Sequence, residues 1–139
     1  NLQVGKAVFI SQSVNPGMAI PDDESTGITS MMNVQNSNSA LANDIQVMVD
    51  IEHTYIGDLL VRLTSPAGTS VILHNKSGEG SEDIIGTYPT TLQSAEDMSA
   101  FNNDMLAGDW TLKISDHAGE DIGTLRSWGI KKQTGWACE

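Results

Sequence analysis

Along most of this chain apolar and polar residues alternate one by one, the period of a strand with one face buried and the other wet. Ile45, Val47, Val49 and Ile51 fall on one face, and Gln46, Met48, Asp50 and Glu52 on the other. Leu59, Val61 and Leu63 alternate with Leu60, Arg62 and Thr64, and Val71 and Leu73 resume the pattern after Ser65-Pro66-Ala67-Gly68. Trp110, Leu112 and Ile114 alternate with Thr111, Lys113 and Ser115. Further strands are predicted over 7–10, 27–34 and 124–131, the last with Trp128 and Ile130 on one face. Proline and glycine punctuate these runs at Pro16-Gly17, Pro21, Pro66, Gly68, Gly78, Gly80 and Gly108, where turns need a fixed or positive φ. Strands of this length separated by turn signals predict an all-β antiparallel sandwich or jelly roll. The one helical expectation is a short helix within 94–106, with Met98, Phe101 and Met105 on its inner side. An Asn- and Ser-rich stretch over 33–43 reads as a polar loop.

A length of 139 residues suffices for one domain with a real core and is short for two. No apolar run approaches the roughly 20 residues that span a bilayer as a helix. Charge changes the picture more: 18 acidic residues against 7 basic ones leave a net charge of −11. Such a surface is repelled by phosphate backbones and anionic lipid, so neither nucleic acid nor membrane is expected as a partner. Cys138 is the single cysteine, which rules out an internal disulfide and is poorly placed for a nucleophile or a metal cage. Asn1 opens the chain with no basic-then-apolar leader, and the simpler expectation is a segment cut from a longer precursor.

No catalytic residues are predicted. A G-x-S-x-G elbow is missing, as is H-E-x-x-H, so neither a serine-hydrolase nor a zinc-protease motif is legible. His53 and His74 lie in strands that could be neighbours, where a shared metal is one reading and ring nitrogens satisfied by nearby partners the preferred one. His117 falls in a turn and is expected to face water. Calcium is the sharper expectation, because it takes six to eight hard oxygen ligands from flexible loops. Asp22 and Asp23 follow Pro21 in one loop, Asp116 and Asp121 crowd another with Glu120, and Asp50 could join from a strand. Brought together, these carboxylates would repel one another without a cation. The alternative is a set of solvated loops that cap their own turns. Glu79, Glu82 and Asp83, with Asp97, form a second and weaker cluster.

Four stretches carry a resemblance. Ile51-Glu52-His53-Thr54-Tyr55-Ile56-Gly57-Asp58-Leu59, followed by Leu63-Thr64-Ser65-Pro66-Ala67-Gly68-Thr69, resembles the core hairpin of the P domain (P/Homo B) family. Gly108-Asp109-Trp110-Thr111-Leu112 is similar to its G-x-W-x-L strand. The stretch from Ser115-Asp116 through Asp121 and Gly123-Thr124-Leu125 to Ser127-Trp128 is similar to the S-D-x-A-x-x-D-x-G-T-L-x-S-W ending of bacterial members, and Ala19-Ile20-Pro21-Asp22 to their I-P-D segment. The motifs run in order from about Ile20 to Lys131.

The resemblance implies a single jelly-roll-like antiparallel β-sandwich over 1–132, with 133–139 as a tail or linker. It implies a secreted, monomeric, non-catalytic module joined to the catalytic domain of the same chain, assisting that domain's folding, maturation and stability. A subtilisin-like serine endopeptidase is the first expectation for the parent, with a zinc metalloprotease second. A module that binds protein substrate or a surface is the alternative role, and a carbohydrate-binding jelly roll ranks last, since Trp110 and Trp128 read as buried anchors. Gly57 and Asp58 read as a strand entrance in which Asp58 accepts backbone N–H groups, and Gly123 as a turn residue at positive φ.

Overall fold

A computed structural model describes residues 5–35 and 40–138. In chain order its strands are β1 (Gly5–Val14), β2 (Met18–Ile20), β3 (Glu24–Val34), β4 (Gln46–His53), β5 (Leu59–Thr64), β6 (Ser70–Asn75), β7 (Ile84–Tyr88), β8 (Gly108–Asp116) and β9 (Gly123–Cys138). Two short 3-10 helices, Ile56–Asp58 and Met98–Phe101, interrupt them. One sheet has the order β1-β9-β4-β7, with β2 also on β9, and the other β3-β8-β5-β6; every pairing is antiparallel. The fold is a two-sheet antiparallel sandwich.

The alternation read from the chain is what the sheets bury. Val47, Val49 and Ile51 of β4 face inward, against Leu59, Val61 and Leu63 of β5 and Trp110, Leu112 and Ile114 of β8 in one continuous core. Two tryptophans from opposite sheets fill the largest volumes there, and each indole N–H finds an acceptor as burial requires. Trp110 Nε1 donates to the Leu106 carbonyl at 2.8 Å, and its ring meets Phe101 edge-on with centroids 5.2 Å apart. Trp128 Nε1 donates to Ser30 Oγ at 2.9 Å, a buried bond from β9 in one sheet to β3 in the other. The Ser65-Pro66-Ala67-Gly68 turn closes on a Gly68 N–H bond to the Ser65 carbonyl, and Gly68 takes φ +93°.

The secondary structure departs from expectation in three places. No helix forms over 94–106 beyond the single 3-10 turn, because the Ala95 and Glu96 amides bond to Leu73 and Ile72 carbonyls at the edge of β6. Met98 and Phe101 are buried as expected, while Met105 is 46% exposed, past a break at Asn103 with φ +73°. The strands β2 and β7 carried too few alternating residues to be read. Residues 133–138, expected as tail or linker, continue β9 opposite β1, with Gly5 facing Cys138. Hydrophobic alternation ends near Lys131, so nothing in the pattern announced a strand that continues by backbone pairing.

Trp128 is 1% exposed. Trp128→Ala is expected to destabilise the fold by about 3–5 kcal/mol, the cost of a large-to-small change in a packed core. The midpoint of urea unfolding measures it, and a loss under about 1 kcal/mol would contradict this packing.

Candidate functional site

Three connections emerge at one end of the sandwich because of the strand register. Ile20 and His53 both lie opposite Gly123, and Asp116 lies opposite both Glu24 and Leu59. The β2–β3 turn, the 54–58 turn and the β8–β9 loop therefore share one edge. Gly123 is a point of close backbone approach. Its φ is not positive, contrary to expectation, but an added Cβ would lie 2.2 Å from the Glu52 carbonyl oxygen and 2.6 Å from the His53 ring.

His53 sits beneath these loops, fully buried. Its Nδ1 accepts the Tyr55 N–H at 3.1 Å, so Nε2 carries the ring hydrogen and donates to Asp116 Oδ2 at 2.9 Å, with both side chains 0% exposed. The other oxygen of Asp116, Oδ1, accepts the Ala118 N–H at 3.1 Å. Asp83 clamps the His53 backbone from outside, through Oδ1 to the His53 N–H and its own N–H to the His53 carbonyl, both at 3.0 Å.

Of the carboxylates expected to gather, four come to this end. Asp22 Oδ2 accepts the Glu120 N–H at 3.1 Å, which ties the β2–β3 turn to the β8–β9 loop. Asp121 Oδ1 accepts from Thr54 Oγ1 at 2.8 Å. Asp23 Oδ2 lies 4.0 Å from the Cβ position of Gly119, and Asp116 is the buried partner of His53. Asp50 does not join them. It lies three residues back along β4, about 10 Å at strand rise. There, on the outward face, its Oδ1 accepts from Arg126 Nε at 2.9 Å, while Arg126 Nη1 reaches Glu52 at 3.0 Å. The second cluster also disperses: Asp83 is spent on His53, and Asp97 accepts the Ser99 N–H at the start of the second 3-10 helix, a bond that lowers its pKa. Among the described residues no three His, Cys, Asp or Glu side chains already stand close enough to hold a metal ion.

Asp58 is the residue that sequence reasoning missed. It is 7% exposed, and its Oδ2 has no hydrogen-bond partner among the described residues. An acceptor left so costs about 1–3 kcal/mol. Burial first, then the charges of Asp116 and Asp121 and more weakly Asp22, push its pKa above the ordinary carboxylate value, with His53 opposing. The signal in the sequence is an Asp placed between Gly57 and Leu59, a pattern that a backbone cap shares.

The histidines do not form a shared site, since His53 ends β4 in one sheet and His74 lies in β6 of the other. His74 Nε2 donates to the Ile56 carbonyl at 2.8 Å and braces the 54–58 turn. His117, expected to face water, is half-buried with Nε2 2.8 Å from Ser115 Oγ. That serine is 2% exposed, and among the described residues no carboxylate bonds to the His117 ring, so the pair lacks the access and the orienting acid of a hydrolytic triad.

The proprotein convertase P-domain model matches residues 42–132, from just before β4 into β9. The chain belongs to the P-domain family. It is 40% identical over 105 residues to the calcium-dependent protease of Trichormus variabilis, covering 73% of this chain and 16% of that protein. It is 33% identical over 114 residues to the transglutaminase-activating metalloprotease of Streptomyces mobaraensis, covering 81% of this chain and 14% of the relative. The P domain thus spans only 14–16% of the length of these two curated relatives. The serine protease of Aeromonas sobria, solved with its chaperone ORF2, shares the fold with a TM-score of 0.65 at 22% identity, over 91% of this chain and 26% of that one. The β2–β3 turn with Asp22 and Asp23 precedes the matched range, while His53, Asp58, Asp116 and Asp121 lie within it.

Burial lowers the pKa of His74 below 6.5, the Ile56 carbonyl opposing. The unfolded chain therefore binds this proton more readily, so the stability it contributes is complete above pH 6.5 and is lost as pH falls through the lower folded-state value. His74→Gln should flatten the decline of unfolding free energy below that pH by up to one proton's slope, about 1.4 kcal/mol per pH unit. Denaturant titrations across pH 4–8 on both proteins, taken at roughly unit steps, read the difference.

Proposed function

We propose that this chain is the non-catalytic accessory domain of a secreted bacterial protease, assisting the folding, maturation and stability of a catalytic domain in the same polypeptide. The observation that carries the reading is the P-domain match in a chain that covers only 16% and 14% of two protease relatives. The remainder of such a protein has ample length for the catalytic machinery. A subtilisin-like serine endopeptidase is the first choice of parent. The 33% identity to a metalloprotease supports a zinc enzyme as the alternative. The strand orders β1-β9-β4-β7 and β3-β8-β5-β6 support reading the sandwich as a jelly roll.

Calcium stabilises the module in this reading, with Asp22, Asp23, Asp116 and Asp121 as the carboxylates at the shared end. Its support is the meeting of their loops through the Glu120–Asp22 and Thr54–Asp121 bonds. The 40% identity to a protease named for calcium dependence agrees with it. The orphaned buried oxygen of Asp58 fits a cation at this end. Calcium bound to the native state alone would add RT ln(1 + [Ca]/Kd), about 2.7 kcal/mol at a hundredfold excess over Kd.

The test is the parent protease expressed with and without this domain. Deletion should lower the yield of mature enzyme and its melting temperature. Equal yield, maturation and melting in the two forms would refute the accessory role. The 139-residue chain alone should leave casein uncleaved, and turnover abolished by changing one of its histidines would make it an enzyme.

A further inference from the structure

Asp58 differs from every other carboxylate at its end of the sandwich. Asp22 accepts an amide, Asp121 a hydroxyl, and Asp116 bonds from His53 and Ala118, whereas the buried Asp58 Oδ2 is unpartnered among the described residues. Its backbone is fixed on both sides. The Asp58 N–H bonds to the Tyr55 carbonyl, its carbonyl accepts the His117 N–H at 2.8 Å, and the preceding residues are held by Glu79 and His74. The oxygen is therefore presented by a rigid frame rather than by a loop free to turn it into water. Nor is the negative charge answered by protein. Asp50 and Glu52 share Arg126 on the outer face, but among the described residues no Lys or Arg pairs with Asp22, Asp58, Asp116 or Asp121.

We propose that Asp58 is the buried anchoring ligand of a divalent-cation site that Asp121 and Asp22 close from the two surface loops, with Asp116 held behind it by His53. The proposal rests on the calcium reading above and names the residue that carries it. A hard cation answers both features at once, taking the orphaned oxygen as a ligand and offsetting the carboxylate charges at this end, which no Lys or Arg among the described residues pairs with. Asp22 and Asp121 sit on loops where side chains change rotamer in picoseconds to nanoseconds, so an arriving ion gathers them onto the fixed oxygen. Calcium suits such a site better than magnesium, which demands a tighter octahedral shell.

The test uses the 139-residue chain stripped with chelator and titrated with calcium chloride, read by calorimetry and by melting temperature. Asp58→Asn keeps the side-chain shape and should lower calcium affinity at least tenfold and abolish the calcium-induced rise in melting. Asp44→Asn, which removes the same charge ahead of the far end of β4, should leave both unchanged. Calcium binding by the unsubstituted 139-residue chain that survives Asp58→Asn overturns the inference and leaves the calcium reading standing. No calcium response in the unsubstituted chain overturns both, and because no protease is attached, neither result bears on the accessory role. If Asp58→Asn does not fold, Asp22→Asn and Asp121→Asn carry the test: each should weaken binding several-fold, and undiminished affinity in both overturns the site.

Discussion

The hydrogen bond from His53 to Asp116 is the contact on which the loop end of the sandwich depends. It joins the last residue of β4 in one sheet to the last residue of β8 in the other, with neither side chain exposed to water. Inside a protein such a bond is strengthened by low dielectric, and its loss strands a buried polar group. Because the other ring nitrogen accepts the Tyr55 N–H, the imidazole is fixed in one orientation and starts the 54–58 turn. Gly123 lets β9 pass close enough to cover the pair, at a separation no side chain would permit. A second buried cross-sheet bond, from Trp128 to Ser30, sets the spacing deeper in the core. Among the described residues one sheet thus addresses the other through two buried side-chain hydrogen bonds as well as through apolar packing.

The distribution of charge follows from that frame. On the outward face of β4 and β9, alternation places Asp50 and Glu52 within reach of Arg126, and their charges are locally offset on exposed ground where such pairs contribute little. At the end of the sandwich the strand termini carry acidic turns with no Lys or Arg paired to them among the described residues, while the register prevents them from spreading apart. A protein with a net charge of −11 can disperse repulsion over most of its surface, but not around Asp58, a carboxylate that is 7% exposed.

The edges of the sheets are also managed by the chain itself. The amides of Ala95 and Glu96 bond to β6 carbonyls, and the Glu96 side chain accepts the Ile72 N–H at 2.7 Å, so the β6 edge is covered by a loop. β7 is only five residues long, and the Thr91 and Leu92 amides fold back onto the Thr87 carbonyl at its end. Covered and shortened edges suppress pairing with other chains, and backbone that is hydrogen-bonded opens less often to proteolysis.

How much was legible in the residues depended on range. Period-two alternation named β4, β5 and β8, and the tryptophans were recognisable as anchors, because the inward face of a strand is a local property of its sequence. The P-domain motifs were legible for the same reason, each being a short stretch of turn or strand chemistry. What tertiary structure decided was which ends meet. The pairing of Asp116 with both Glu24 and Leu59 brought the Asp22 and Asp121 loops together, whereas Asp50, equally acidic in sequence, was turned outward to Arg126 by the phase of its strand. The 94–106 segment lost its helix to the edge of β6, a partner about twenty residues away that no local propensity reveals. Residues 133–138 became strand through backbone bonds to β1, which leave no hydrophobic signature. Asp58 was the hardest to read, since an aspartate after a glycine looks the same in sequence whether its oxygens are capped or orphaned. Only the surrounding fold settles which groups lie within hydrogen-bonding distance of a side chain, and for Asp58 Oδ2 it supplied no donor among the described residues.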